Sequence, residues 1–224
     1  MGEIPDDQLV LVVDFTIEGM SRAFAPENFT QLMTGLVTHL APYTDRKDVD
    51  LSQTLDQIDS ILMMVSMGSS SADTDPKKAI KSAAESPQWL KDLAVALKAL
   101  LQERNLPGDC KTKVVRIASH CLSLYGDGFI SDDGTGPMFL ALLTEMASVE
   151  LRLKLNAEPE ALSETDVTSV LAGCSVAERA LLMAERESFP EDAATTISRS
   201  AHNLISFLLL FFLTAKEKKI TVLI

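Results

Sequence analysis

Residues 137–155 are apolar on two faces of a helix, and this limits the possible folds more than any other feature of the sequence. The spacing places these apolar side chains in two stripes: Phe139, Leu142, Leu143, Met146, Val149 and Leu153 in one, and Leu140, Ala147, Leu151 and Leu155 in the other. A helix with two apolar faces has to lie between neighbours, as inner helices of a solenoid and central helices of a bundle do. The sequence therefore predicts that residues 137–155 are sandwiched between other helices.

Proline, glycine and serine divide the rest of the chain into further helical segments. Hydrophobic residues make up 46% of the chain but aromatic residues only 5%, which favours helices over a β-sandwich or barrel. Apolar spacing predicts helices over residues 8–24, 26–41, 51–67, 77–84, 88–104, 111–125, 137–155 and 191–216. A further helix begins near residue 164 after the capping pair Ser163 and Asp166, and either continues to residue 187 or bends near Gly173.

Successive helix pairs recur at a pitch of roughly 40 residues, as in armadillo and HEAT repeats. We predict an all-α fold, an armadillo- or HEAT-like α-solenoid of roughly eight to ten helices, with a compact helical bundle as the alternative. Residues 1–224 are predicted to form a single α-helical region that is part of a longer solenoid. Residues 68–76 are expected to form a flexible polar loop.

The charge of the chain argues against nucleic acid as a partner. Its formal net charge is −12, from 32 acidic and 20 basic residues, so the surface repels phosphate. The densest basic positions carry no interleaved aromatic residues that could stack on bases and are interpreted as solvated helix faces. These positions are Lys77, Lys78, Lys81, Lys111, Lys113, Arg116, Lys216, Lys218 and Lys219.

No motif in the sequence predicts catalysis, a cofactor or a metal site. Cys110, Cys121 and Cys174 are too few for a disulfide framework and favour a reduced, intracellular location. The histidines His39, His120 and His202 fall in three different predicted helices. The loop acids Asp127, Asp132 and Asp133 do not match the spacing of an EF-hand and are interpreted as turn and capping residues. We therefore expect a non-enzymatic protein with no catalytic, cofactor-binding or metal-binding residues.

Residues 204–213 form the most apolar run of the chain. Ten residues are fewer than the roughly 20 that span a membrane, so a buried helix is predicted. The alternative is a peripheral membrane protein, in which this run enters the interface and Lys216, Lys218 and Lys219 meet anionic lipid.

Three consecutive parts of the sequence resemble the neurochondrin family. They are the block VVRIASHC at residues 114–121, the Gly/Asp loop of residues 126–137 and the apolar helix that contains residues 139–153. The order continues with the acidic helix start at Glu164, the helix that contains Cys174 and the run ISFLL at residues 205–209. The resemblance extends over about residues 87–214.

The resemblance implies a cytoplasmic, non-enzymatic, armadillo-like scaffold or adaptor that binds other proteins and is linked to neurite outgrowth and neuronal signalling. This chain is shorter than members of that family and lacks their cysteine-containing start, so lipidation at that end cannot be carried over from the resemblance. The tail of residues 218–224 has no counterpart in the family. If the chain is a fragment or splice form, its last helix is expected to expose a face intended for a further repeat.

Overall fold

A computed structural model describes residues 26–40, 51–67, 87–130, 136–156, 163–186 and 188–222. These residues form seven α-helices and one short 3-10 helix, so the predicted all-α class is confirmed. We number the helices α1 (Pro26–Leu40), α2 (Leu51–Met67), α3 (Gln88–Gln102), α4 (Gly108–Tyr125), α5 (Gly136–Leu155), α6 (Glu164–Ala184) and α7 (Glu191–Val222). The predicted helices 8–24 and 77–84 and the predicted flexible loop 68–76 lie outside the described residues.

The helices pack in two rows. Among the described helices, α1, α3, α5 and α7 contact one another in succession, and α2, α4 and α6 form a second row beside them. Every pair in extensive contact is one or two helices apart in the described order. A solenoid has this neighbour-only packing, but the solenoid assignment itself stays a prediction. At one end of the array, α7 is the last helix of its row and α6 the last of the other.

The predicted core stripes are largely confirmed. In α3 the helical spacing predicts a core stripe, and all of its members are buried: Leu90, Leu93, Ala94, Leu97, Leu100 and Leu101. The corresponding stripe of α1 is also buried except for the half-buried Leu32: Phe29, Leu32, Met33, Leu36, Val37 and Leu40. Trp89, only 2% exposed, packs edge-on against Phe29 and Tyr125 with ring centroids 5.7 Å apart in both pairs. This aromatic contact joins α1, α3 and α4.

The prediction that α5 is buried on both stripes is only partly correct. Phe139, Leu140 and Leu143 are buried, as expected of an inner helix that contacts α3, α4, α6 and α7. Val149 and Leu153, in contrast, are 46% and 62% exposed. The second half of α5 therefore has one solvent-facing apolar side.

Local signals determine several helix ends. Ser163 and Asp166 form the predicted capping box: the backbone N–H of Asp166 donates to Ser163 Oγ at 3.1 Å, and the Ser163 N–H donates to the Asp166 carboxylate at 3.2 Å. α6 then runs unbroken through Gly173. Of the two predicted possibilities, a continuous helix or a bend near this residue, the structure has the continuous helix. After α4 the chain turns at Gly126, where φ is +56°, a conformation that favours glycine.

Candidate interaction surface

A buried cluster of charged side chains joins α2 to α4. Asp59, 3% exposed, forms an ion pair with Arg116, and His120 Nε2 lies 3.6 Å from the other carboxylate oxygen. That oxygen, Oδ1, accepts no hydrogen bond from the described residues, and Arg116 Nε has no hydrogen-bond partner among them. The apolar stripe of α2, Leu55, Ile58, Leu62 and Val65, predicts from sequence that Asp59 lies on the opposite, polar side with Gln53, Asp56 and Gln57. The structure corrects this, because Asp59 is four residues after the buried Leu55 and faces α4.

Burial dominates the electrostatics of this cluster. Removal from water raises the pKa of Asp59 to about 6, although the Arg116 guanidinium acts in the opposite direction. Burial, with a smaller contribution from Arg116, lowers the pKa of His120. Burial thus shifts the titration of the carboxyl and imidazole groups toward their neutral forms, as expected when ions leave water with few hydrogen bonds.

A second, more exposed group of charges continues along the same helix pair. Lys113 Nζ lies 2.8 Å from Asp56 Oδ2, 2.6 Å from Ser52 Oγ and 3.6 Å from Asp109 Oδ2. Hydrogen bonds to the carboxylate of Asp56 raise the pKa of Lys113 despite partial burial. The contacts hold the first turns of α2 and α4 together. Lys111, Lys113 and Arg116 had been interpreted as a solvated face, and this is wrong for Lys113 and Arg116, whose side chains are 15% and 16% exposed.

The other chemically reactive side chains are dispersed. Cys110 and Cys121 are buried and Cys174 is half-buried, and burial raises the pKa of all three thiols. His39 and His202 lie on α1 and α7, away from His120 on α4. Within the residues that the structure describes, no group of three or more His, Cys, Asp or Glu side chains could hold a metal ion.

The Gly/Asp loop is described only in its first part. Residues 126–129 form the 3-10 helix, and the backbone carbonyl of Asp127 accepts a hydrogen bond from the Ile130 N–H at 2.9 Å. The Asp127 carboxylate forms an ion pair with Arg186 at 2.5 Å. Asp132 and Asp133 lie outside the described residues.

One exposed stripe runs along the whole of α6 and its C-cap. Its apolar members Val167, Leu171 and Leu182 are 46%, 63% and 52% exposed. Three exposed glutamates lie between and beside them at helical spacing: Glu164, Glu178 and Glu185. We call these six residues the α6 stripe. It combines apolar contact area with negative charge, a composition suited to a partner that is apolar and basic.

The second exposed apolar surface lies on α7. Ile205, Leu209, Leu210, Phe212 and Leu213 are between 50% and 64% exposed. The prediction that residues 204–213 form a buried helix is therefore wrong for most of the run, because among the described helices α7 packs extensively only against α5 and α6. Leu204 alone is fully buried, in a small core with Leu151, Ala177 and Ala201.

Two helices are long and apolar enough to cross a membrane by length and composition alone, Glu164–Ala184 and Glu191–Thr214. The continuous apolar run 204–213 is only ten residues long, but the helix that contains it also has mostly uncharged residues before this run and is therefore long enough. Only 33% and 22% of the two apolar windows are buried, so neither is an ordinary core helix. These two helices are the same pair that carries the exposed apolar surfaces.

Comparison with protein families identifies a match that covers most of the chain. The sequence model of the family described as Neurochondrin matches residues 69–221, about two thirds of the chain. The match includes α3 to α6 and nearly all of α7, and it confirms the resemblance predicted over residues 87–214. No curated protein and no solved structure matches the chain.

Proposed function

Because the chain belongs to the neurochondrin family, we propose that it is a non-enzymatic helical scaffold that binds other proteins. The observation that carries the proposal is the α6 stripe. A two-row array buries the inner sides of its helices, so apolar residues left exposed along an entire helix remain free for contact with a partner. Single exposed apolar residues are common on protein surfaces, but a stripe of three that are interleaved with glutamates is not.

The chemistry of the stripe indicates the kind of partner. Glu164, Glu178 and Glu185 add local negative charge to a chain whose formal net charge is −12. Such a surface attracts basic segments and repels acidic ones, and this raises association rates more than affinity. We therefore expect a partner segment with apolar residues at helical spacing and lysine or arginine beside them, bound in a salt-dependent manner.

The proposed cellular role rests on the family rather than on the geometry. Family resemblance supports a role in neurite outgrowth and neuronal signalling and a cytoplasmic location, and the acidic composition supports proteins rather than nucleic acids as partners. The neuronal role, the location and the class of partner are proposed on these grounds and not on the packing of the helices.

Charge reversal on the α6 stripe tests the proposal. The immobilised chain is exposed to neuronal cytosol, and retained proteins are compared among the wild type, Glu178→Lys and the matched control Glu145→Lys. Glu145 is also exposed but lies on α5, so the control makes the same change of net charge elsewhere. A partner retained by the wild type and the control, lost with Glu178→Lys and eluted by salt would support the proposal. Equal retention by both variants, or binding insensitive to salt, would contradict it.

A peripheral membrane protein is the second candidate, favoured by the exposed apolar end of α7. In the sequence this end is followed by Lys216, Lys218 and Lys219, which suits an anionic bilayer. Flotation with vesicles that contain phosphatidylserine tests this candidate. Binding that is abolished when the three lysines are changed to glutamate would favour it, whereas absence of the wild type from the floated fraction would eliminate it.

A further inference from the structure

The buried charges between α2 and α4 include two groups that are placed to share a proton. Asp59 Oδ1 accepts no hydrogen bond from the described residues, and His120 Nε2 lies 3.6 Å from it, too far for a hydrogen bond. The other carboxylate oxygen, Oδ2, is in contact with Arg116. The side chains of Asp59 and His120 are 4% and 18% exposed, so water competes little for either atom. A proton between Oδ1 and Nε2 supplies the missing hydrogen bond.

We infer that Asp59 and His120 form a site for a single proton, which folding moves from the imidazole to the carboxyl as α2 packs on α4. In the unfolded chain the imidazole is the more basic of the two groups. In the folded protein the Nε2–H bond is broken and an Oδ1–H bond is formed. The bonding pair stays on Nε2, which accepts a hydrogen bond from Oδ1 as the 3.6 Å separation shortens to about 2.7 Å. The neutral imidazole keeps its remaining proton on Nδ1.

The number of buried charges decides which group holds the proton. With the proton on His120, three charges lie together: the carboxylate, the imidazolium and the guanidinium of Arg116. With the proton on Asp59, only Arg116 is charged among the three, and it remains in contact with Oδ2. The second arrangement is favoured because each ion removed from water is costly. The pKa values agree in direction, since burial raises the pKa of Asp59 to about 6 and lowers that of His120.

The charges around the pair leave this assignment in place. Those that act on the Asp59 carboxyl are, in decreasing order, Arg116, Asp56 and Lys113, and Arg116 also acts on the imidazole. Asp56 and Lys113 offset each other, because their side chains form an ion pair at 2.8 Å. Among the described residues, α3, α5, α6 and the 3-10 helix contribute no charge that shifts either pKa. On α1, which also contacts α2, the titratable side chain that the structure describes is His39.

The proton transfer keeps the packing of α2 on α4 nearly independent of pH between about pH 7 and about pH 5. The unfolded chain takes up one proton at His120 near the ordinary pKa of 6.5, and the folded protein takes up one at Asp59 at about 6. The two states therefore bind similar numbers of protons, and stability depends on pH only where these numbers differ. Taken singly, the two residues have opposite effects. As pH falls through this range, the raised pKa of Asp59 stabilises the folded state and the lowered pKa of His120 destabilises it.

Nuclear magnetic resonance shows where the proton lies. The folded wild type is titrated between about pH 8 and about pH 5 while the chemical shifts of the Asp59 carboxyl carbon and both His120 ring nitrogens are followed. The carboxyl carbon should report protonation near pH 6, while Nε2 stays unprotonated and Nδ1 stays protonated. An imidazolium that forms while Asp59 stays ionised would overturn the inference. A neutral His120 with its proton on Nε2 would overturn it as well.

Two variants test the compensation in urea unfolding. The unfolding constant is measured at about pH 5 and about pH 7, and the ratio of the two is compared with that of the wild type. His120→Leu leaves only the carboxyl, so the ratio should fall at least about fivefold. Asp59→Asn imitates the protonated carboxyl and leaves only the imidazole, so the ratio should rise at least about twofold. If a variant does not fold, the titration of the wild type decides.

Matched controls make the same changes at exposed positions. They are His202→Leu on α7 and Asp92→Asn on α3, and both should leave the ratio of unfolding constants unchanged. A ratio that stays at the wild-type value in His120→Leu or in Asp59→Asn would overturn the inference. So would a change in the same direction in these two variants, because the compensation requires opposite signs.

Discussion

Replacing Arg116 by methionine should destabilise the protein more at about pH 7.5 than at about pH 5. Arg116 is the ion-pair partner of Asp59, which is buried between α2 and α4. Removing one partner of a buried pair leaves the other charge uncompensated and costs about 3–5 kcal/mol. That cost depends on pH here, because protonation of Asp59 removes the uncompensated charge.

The magnitude follows from the raised pKa of Asp59. The folded protein holds this proton more tightly than the unfolded chain, so the contribution of Asp59 to stability falls as pH rises from 3.8 to about 6. At 1.36 kcal/mol per unit, the fall amounts to about 3 kcal/mol and then stops. Without Arg116 the Asp59 carboxyl stays protonated to higher pH. Its contribution to the free energy of unfolding therefore decreases further, by about 2 kcal/mol more at about pH 7.5.

His120 acts in the same direction. Burial and, secondarily, Arg116 lower the pKa of His120, so its contribution to stability is lost as pH falls through 6.5. Without Arg116 the pKa of His120 is lowered less. At about pH 5 the stability lost through His120 is therefore smaller in the variant than in the wild type. The destabilisation caused by Arg116→Met should accordingly be at least about 2 kcal/mol smaller at about pH 5 than at about pH 7.5.

Urea unfolding at both pH values measures this difference. The transition is followed by far-ultraviolet circular dichroism and by fluorescence of Trp89, the single tryptophan, which is buried in the same core. In an Asp59→Asn background the carboxyl no longer titrates, so most of the pH dependence of the Arg116→Met effect should vanish. An effect that is equal at the two pH values, or larger at about pH 5, would refute the reasoning.

Three further changes have simpler expected outcomes. Ser163→Ala removes the capping box of α6 and should lower the free energy of unfolding by about 1 kcal/mol in urea titrations. Leu97→Ala, at a fully buried position, should cost about 2–5 kcal/mol, whereas Val95→Ala, 65% exposed on the same helix, should change thermal stability little. With a thiol reagent, the half-buried Cys174 should react first, and Cys121 only when the protein unfolds, which timed absorbance measurements distinguish.

Features that depend on neighbouring residues in the chain were predictable. Helix α2 begins and ends at the predicted residues, Leu51 and Met67, because one apolar stripe and the polar segments around it are sufficient to define it. The capping box is equally local, since Ser163 and Asp166 are three residues apart. The family match also depends on sequence alone, and it extends over the helices whose resemblance was predicted.

Features that depend on which helix lies opposite were not predictable. The pattern of α2 indicated a polar role for Asp59, although its position four residues after Leu55 and three before Leu62 was a signal of burial. What makes burial tolerable is Arg116, which is distant in the chain and reaches Asp59 only because α4 packs on α2. No property of either helix alone specifies that pairing.

The exposed apolar residues of α6 and α7 were likewise not predictable from the sequence of either helix alone. Apolar composition measures what a residue gains by leaving water, but it does not specify which sides of a helix the neighbouring helices cover. Leu204 and Leu209 are five residues apart in one apolar run, yet they are 3% and 59% exposed, because only Leu204 faces α5 and α6. An apolar run therefore indicates that a contact is needed, and its position in the array decides whether the same chain or another molecule supplies it. Among the described helices, α6 and α7 carry several exposed large apolar side chains, whereas Val95 is the one such residue on α3. The interaction surfaces are therefore assigned to α6 and α7 rather than to the equally apolar α3.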